Sequence, residues 1–233
     1  MREMLDETKY LYNILLRDIQ NSPHHVKPSQ RLAIYKSFGY SGYANEHKQK
    51  VQQLKTDALF LSEADRAVAW LSIITASKLD AVWKQASFDI DNTNTHYSYN
   101  PYVILKEAKK FLTGKQTASK AFSNLTVNFD QAVGGLDVSA KLLCAIYTSY
   151  NALEITLLGT DILLFEAQKN NFDDAADAIT SDFAEMAVKA YTTINEDKPL
   201  IYDSQKRLEF WEWWLTEAIP QAWELAQETY RPQ

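Results

Sequence analysis

A single cysteine, Cys144, stands in a chain of 233 residues. One thiol excludes an internal disulfide framework and a cysteine-rich zinc site, and it fits a reducing cytosol. Glycine and proline are scarce too, with six of each. So few punctuators favour long helices over many short strands. Basic residues are not in excess: 24 lysines and arginines face 30 acids, a net charge of −6. That argues against nucleic-acid binding, which needs clustered cations against phosphates. It leaves room for a basic protein partner. No stretch approaches the roughly 18 apolar residues that mark a membrane span. The segment Met1–Glu7 is charged at once and does not look like a signal peptide. The expected location is the cytoplasm.

Familiar catalytic and metal motifs are missing as well. The four histidines are His24, His25, His47 and His96, and none falls in an HExxH or ExxH arrangement. His24-His25 lies between Pro23 and Pro28 and reads as turn chemistry. Asp89 and Asp91 begin like a calcium loop, but the later glycine and the twelfth-position glutamate are absent. Gly39-Tyr40-Ser41-Gly42 lacks the last glycine of a nucleophile elbow. Cys144, among apolar neighbours, reads as an inert core thiol.

What remains is helical periodicity along nearly the whole chain. Leu5, Tyr12, Leu15, Leu16 and Ile19 stripe a first helix over about residues 2–21. Ser29 is a candidate cap for a second, with Gly39 as its stop. Residues 43–55 read as an exposed helix. Ser62-Glu63-Ala64-Asp65 resembles a capping box opening a long helix through Trp83. Asn100 before Pro101 opens the next, which Gly114 ends; another follows from about Thr117. Leu136–Leu158 is apolar nearly all round, the mark of a central buried helix. From Asp173 to Asn195 an amphipathic helix buries Ala176, Ile179, Phe183, Met186, Ala187, Ala190 and Ile194. Asp203 opens the last long helix, with Trp211, Trp214, Leu215 and Ala218 inward and a kink or restart at Pro220. No strand pair is apparent. The fold class is all-α: one domain over residues 1–233, a multi-helix bundle around the helix at about 136–158.

Two features stand out as candidate sites. Asp173, Asp174 and Asp177 match the DDxxD pattern with which helical isoprenoid synthases hold magnesium and a diphosphate. No second acidic motif or nearby basic cluster accompanies it, and acids in a first turn also suit the positive end of a helix. Asp182 and Glu185 extend the charge, and a helical wheel sets all five acids opposite the Ile179-Phe183-Met186 stripe, on an outward face that could receive a basic partner. The second feature is Phe210-Trp211-Glu212-Trp213-Trp214. Trp213 and Phe210 fall off the stripe, so either another helix covers Trp213 or it anchors a partner.

Five segments in order resemble a family of all-α immunity proteins from bacterial polymorphic-toxin systems: Arg31-Leu32-Ala33-Ile34-Tyr35 leading to Gly39; Asp65-Arg66-Ala67-Val68-Ala69-Trp70 through Leu79 and Trp83; Pro101 to Gly114; the alanine-rich stretch Ala140 to Ala152; and Arg207 to Pro220. Asp80-Ala81-Val82 stands where the family has a proline ahead of the Trp83 position. The resemblance implies a cytoplasmic protein that binds and silences a cognate toxin, with no catalysis and no cofactor. The partner surface would then include Asp173, Asp174, Asp177, Asp182, Glu185 and Trp213. The rival readings are a small magnesium-dependent enzyme using 173–177 and a non-catalytic scaffold.

Overall fold

Side-chain oxygens start the helices that matter most here. In the computed structural model, which describes residues 6–21, 23–39, 61–86, 100–117, 138–159, 182–195 and 201–229, α1 (Asp6–Asp18) and α2 (Pro28–Ser37) form a hairpin. Thr8 Oγ1 meets Ser37 Oγ at 2.7 Å across it. The cap of α2 is Lys27 rather than Ser29: Pro28 takes the first turn, where a missing N–H costs nothing, and Gln30 Oε1 accepts from Lys27 N–H. Gly39 ends the hairpin at φ 97°, a left-handed conformation that glycine adopts without strain.

Helix α3 (Glu63–Ser77) begins on the capping box as read: Ser62 Oγ accepts from Asp65 N–H at 3.1 Å, and Asp65 Oδ2 accepts from Ser62 N–H at 3.3 Å. It does not run unbroken to Trp83. Ser72, Thr75 and Ser77 donate to the carbonyls of Ala69, Leu71 and Ile73, which loosens the last turns. Lys78 N–H is then shared between Ile74 and Thr75 carbonyls, and a short α4 (Asp80–Gln85) restarts after Leu79. Helix α5 (Pro101–Leu112) is capped by Asn100, whose Oδ1 accepts from Tyr102 N–H, and stops before Gly114 at φ 68°.

Helix α6 (Ala140–Leu158) starts on Ser139 and packs against α3, α5 and α7 (Phe183–Thr192). It is the centre of the bundle, as its apolar sequence predicts. Burial is uneven, however: from Ala145 onward most side chains are buried, while 140–144 are half-buried. Its buried hydroxyls are satisfied within the helix, Thr148 donating to Cys144 O and Thr156 to Ala152 O.

The amphipathic helix expected from Asp173 begins, among the described residues, at Phe183 with Asp182 as its cap. It ends at Thr192 rather than Asn195. Thr192, Thr193 and Ile194 are β-branched, which disfavours further helix. Thr193–Asn195 (β1) instead pairs antiparallel with Ile201–Tyr202 (β2), with a bulge between Thr193 and Asn195. Ile194, read as inward, is 60% exposed in this ribbon. Among the described residues the fold is all-α apart from this ribbon, a strand pair that the sequence did not suggest.

Asp203 then caps α8 (Ser204–Trp213). The helix continues through a π segment, Trp214–Ala218, into α9 (Ile219–Thr229). Pro220 explains the widened turn: it has no N–H, and its ring would strike the carbonyl four residues back in a regular α-helix. Ile219 N–H bonds to Trp214 O instead, so the axis passes the proline without breaking.

The core runs from Leu15 to Ala226 and includes Trp70, Trp83, Trp211, Trp214 and Trp223. Trp214 Nε1 donates to Thr75 Oγ1 at 3.0 Å, and Trp70 Nε1 to Thr229 Oγ1 at 3.1 Å, so two of the buried indoles have partners.

Burial along α6 generates a test. Leu153 is fully buried, so Leu153→Ala should cost about 2–5 kcal/mol in urea unfolding, as core truncations do. Leu143, half-buried, should cost clearly less on the same change. Equal losses would contradict the uneven burial.

Candidate functional site

Asp182 and Glu185 face inward. As the cap of α7, Asp182 accepts from Glu185 N–H through Oδ1 at 2.9 Å. Through Oδ2 it accepts from Arg31 Nε at 2.8 Å and Tyr35 OH at 3.0 Å. The Glu185 side chain, 6% exposed, lies 3.2 Å from Arg31 Nη1. Lys189 Nζ and Arg207 Nη2 approach its other oxygen at 3.7 and 3.9 Å. The outward acidic face expected of these two residues is therefore corrected. The wheel is right that position 185 lies opposite Phe183. But α7 is covered by more than the helix α6 on which it packs: Arg31 of α2, His25 of the preceding turn and Arg207 of α8 close over Glu185. Asp173, Asp174 and Asp177 lie outside the described residues.

Arg31 is the hub. Its side chain is 1% exposed, yet it makes two charged contacts and donates to Val26 O. Burial alone would lower its proton affinity; Asp182 and Glu185 outweigh that and raise it above the ordinary value, so the guanidinium stays charged. Tyr35, beside it, is pushed well above the usual phenol range by burial and then by the Asp182 charge. The planar fork of arginine serves both carboxylates at once, which a lysine ammonium could not do in the same geometry.

Arg207 and His25 form the second layer. Arg207 Nη2 is 2.8 Å from His25 Nδ1. Arginine can only donate, so Nδ1 accepts and the ring is neutral with its proton on Nε2. The adjacent His24 turns the chain at φ 52° and bonds through Nδ1 to Ile19 O at 2.7 Å. The histidine pair is turn chemistry, as read, and it also links α1 to α8. Trp211 walls the cluster, its ring 5.7 Å from Arg31 Cζ and edge-on to His25 at 6.3 Å.

Trp213 is half-buried. The cover comes from Lys78, at the end of α3, whose Nζ sits 4.4 Å from the ring centroid, with Phe210 at 5.7 Å on another side. Phe210, placed off the stripe by the wheel, is fully buried because Tyr191 of α7 covers it at 5.7 Å.

The sequence reading missed Arg31, Arg207 and His25 as a group. One signal was available: Arg31 shares the 31-34-35-38 face of α2 with Ile34, Tyr35 and Phe38, all buried. An arginine on an apolar face needs a buried anion to meet it. Among the described residues no group of three or more His, Cys, Asp or Glu is placed to hold a metal ion, and no helix is long and apolar enough to cross a membrane. What this arrangement does chemically is fix α2, α7 and α8 to one another through shared charge.

A family model described as immunity protein Imm5 matches residues 13–221. No curated protein matches the chain.

Removing one partner from a buried ion pair strands the other. Arg31→Met should therefore cost about 3–5 kcal/mol in urea unfolding. Arg31→Lys, which keeps the charge and loses the fork, should also destabilise. A loss under about 1 kcal/mol for Arg31→Met, the range of exposed pairs, would show that the network does not hold the fold.

Proposed function

The chain belongs to the Imm5 immunity protein family, and from that premise we propose that it binds a cognate protein toxin and neutralises it by covering its active site or another essential surface. The observation that carries the proposal is the extent of the match, from within α1 to within α9. It takes in the whole Arg31–Glu185–Arg207 network. Such a protein acts by occlusion, without turnover, in the cytoplasm of a bacterium exposed to its own or a neighbour's toxin.

Charge supports one contact surface over others. Between Thr160 and Ser181 the sequence carries Asp161, Glu166, Asp173, Asp174 and Asp177 against a single cation, Lys169. We place the toxin contact on Asp173, Asp174 and Asp177, where negative charge would steer a basic toxin surface. Asp182 and Glu185 are engaged internally by Arg31 and do not belong to that surface. Trp213, partly open beside Lys78, is the aromatic candidate next to be tested.

The chain should restore growth when co-expressed with the toxin domain encoded beside its gene, and the two should co-purify as a stable complex. Absence of both rescue and complex would defeat the proposal. In the variant Asp173→Asn, Asp174→Asn, Asp177→Asn, association should slow by about tenfold at low salt and lose salt dependence. An unchanged association rate would move the contact elsewhere on the protein while leaving toxin binding intact.

A further inference from the structure

Lys78 closes α3 and reaches two other helices. Its Nζ lies 4.4 Å from the ring centroid of Trp213 on α8 and 5.9 Å from that of Tyr191 on α7. Phe210, fully buried, lies 5.7 Å from each of those rings. Lys78, Tyr191 and Trp213 are themselves half-buried. Cation–π attraction and the negative end of α3 hold the ammonium in place. Yet it makes no ion pair, and its Nζ donates no hydrogen bond, among the described residues. An ammonium carries three donors, so it still lacks an acceptor. The acids flanking Trp213 on α8 are turned to other groups: Glu212 Oε1 accepts from Gln20 at 2.7 Å, and Glu209 Oε1 from Gln205 at 3.4 Å.

We propose that Lys78, set on Trp213 and Tyr191, is the docking point for one aspartate or glutamate side chain of the cognate toxin. The inference rests on the toxin-binding reading above and names the chemistry of one contact. Sequence alone offers Trp213 as a bare aromatic anchor. In the structure a cation already lies over its ring, so an incoming group meets charge there. An apolar side chain would take water from the ammonium and return nothing, and a second cation would be repelled. A carboxylate supplies both the acceptor and the opposite charge. Ordering a lysine usually opposes binding, but this one is already held by two rings before the toxin arrives. Ile194, in the ribbon that follows α7, is 60% exposed and offers apolar surface of the kind that keeps water from a polar contact. On a chain of net charge −6, general attraction to a basic toxin brings the two together without setting an orientation. A cation that must meet one carboxylate sets it.

The test measures binding kinetics of the full chain with the toxin domain encoded beside its gene, each variant first shown to be folded by near-UV circular dichroism. Lys78→Met should weaken binding by about thirtyfold, chiefly through faster dissociation. Lys78→Arg should keep most of the affinity, because a guanidinium also lies on aromatic rings and pairs with carboxylates. Lys78→Glu should lose more than Lys78→Met, and one Asp→Lys or Glu→Lys change in the toxin should restore it. Acetylation of the parent complex needs no variant: Lys78 should react with acetic anhydride in the free chain and be protected in the complex. Parent-like binding by Lys78→Met, equal acetylation in both states, or failure of every acidic-to-lysine change in the toxin to rescue Lys78→Glu overturns the docking point while the toxin-binding reading stands. A parent chain that forms no complex defeats that reading, and this inference with it.

Discussion

The contact between Arg31 and the two carboxylates of α7 is the constraint around which the rest of the described structure is arranged. Arg31 comes from the second helix of the chain, Asp182 and Glu185 from its last third. A charge this deeply buried is tolerated only where its partners are fixed in place. Asp182 is fixed because the same carboxylate caps α7. Glu185 is fixed because Arg207 and Lys189 approach the oxygen that Arg31 leaves. Removing water from this cluster then falls to aromatic rings, and Trp211, Tyr35 and Trp214 supply them, packed edge to face at 5.6 and 6.4 Å.

The geometry of the C-terminal helices follows from that requirement. Arg207 and Trp211 are one turn apart on α8 and so face the cluster together. Trp214 must continue the wall while also reaching Thr75 of α3. Pro220 would interrupt a regular helix here; the π turn lets α8 and α9 remain one rod, with Trp223 stacked on Phe38 at the far end of α2. The hairpin of α1 and α2 is thus gripped at both ends, by charge at Arg31 and by stacked rings at Phe38.

Local signals were legible in the sequence where one residue decides the outcome. The capping box at Ser62, the Asn100-Pro101 start, the Asp203 cap and the stops at Gly39 and Gly114 each depend on near neighbours, and each is found. So is the central place of α6, because a helix apolar on every side has nowhere else to go. Asp182 and Glu185 were misplaced for the opposite reason. A wheel reports which residues lie opposite a stripe, but not whether a second layer covers the opposite side, and here Arg31 arrives from 151 and 154 positions away. Phe210 fails on the same ground. The break at Lys78 and the early end of α7 reflect hydroxyls bonding back to the helix and a β-branched run, effects too small to shift a periodic pattern yet large enough to end a helix. The family resemblance rests on segments that include Arg31 and Arg207 at the head of the first and the last. The residues that carry it are therefore in part the ones that build the charge cluster, and their burial separates the task of holding the fold from that of meeting a partner.

A double-mutant cycle between Arg31 and Glu185 tests that account most directly. Unfolding free energies of the parent, Arg31→Met, Glu185→Leu and the double variant give the coupling between the two side chains. The account predicts a coupling of about 1.5 kcal/mol or more, with the double variant more stable than the sum of the single losses implies, because neither charge is then stranded. Additive losses, with a coupling under about 0.5 kcal/mol, would mean that Arg31 and Glu185 act independently, and that the cluster does not hold the two ends of the chain together.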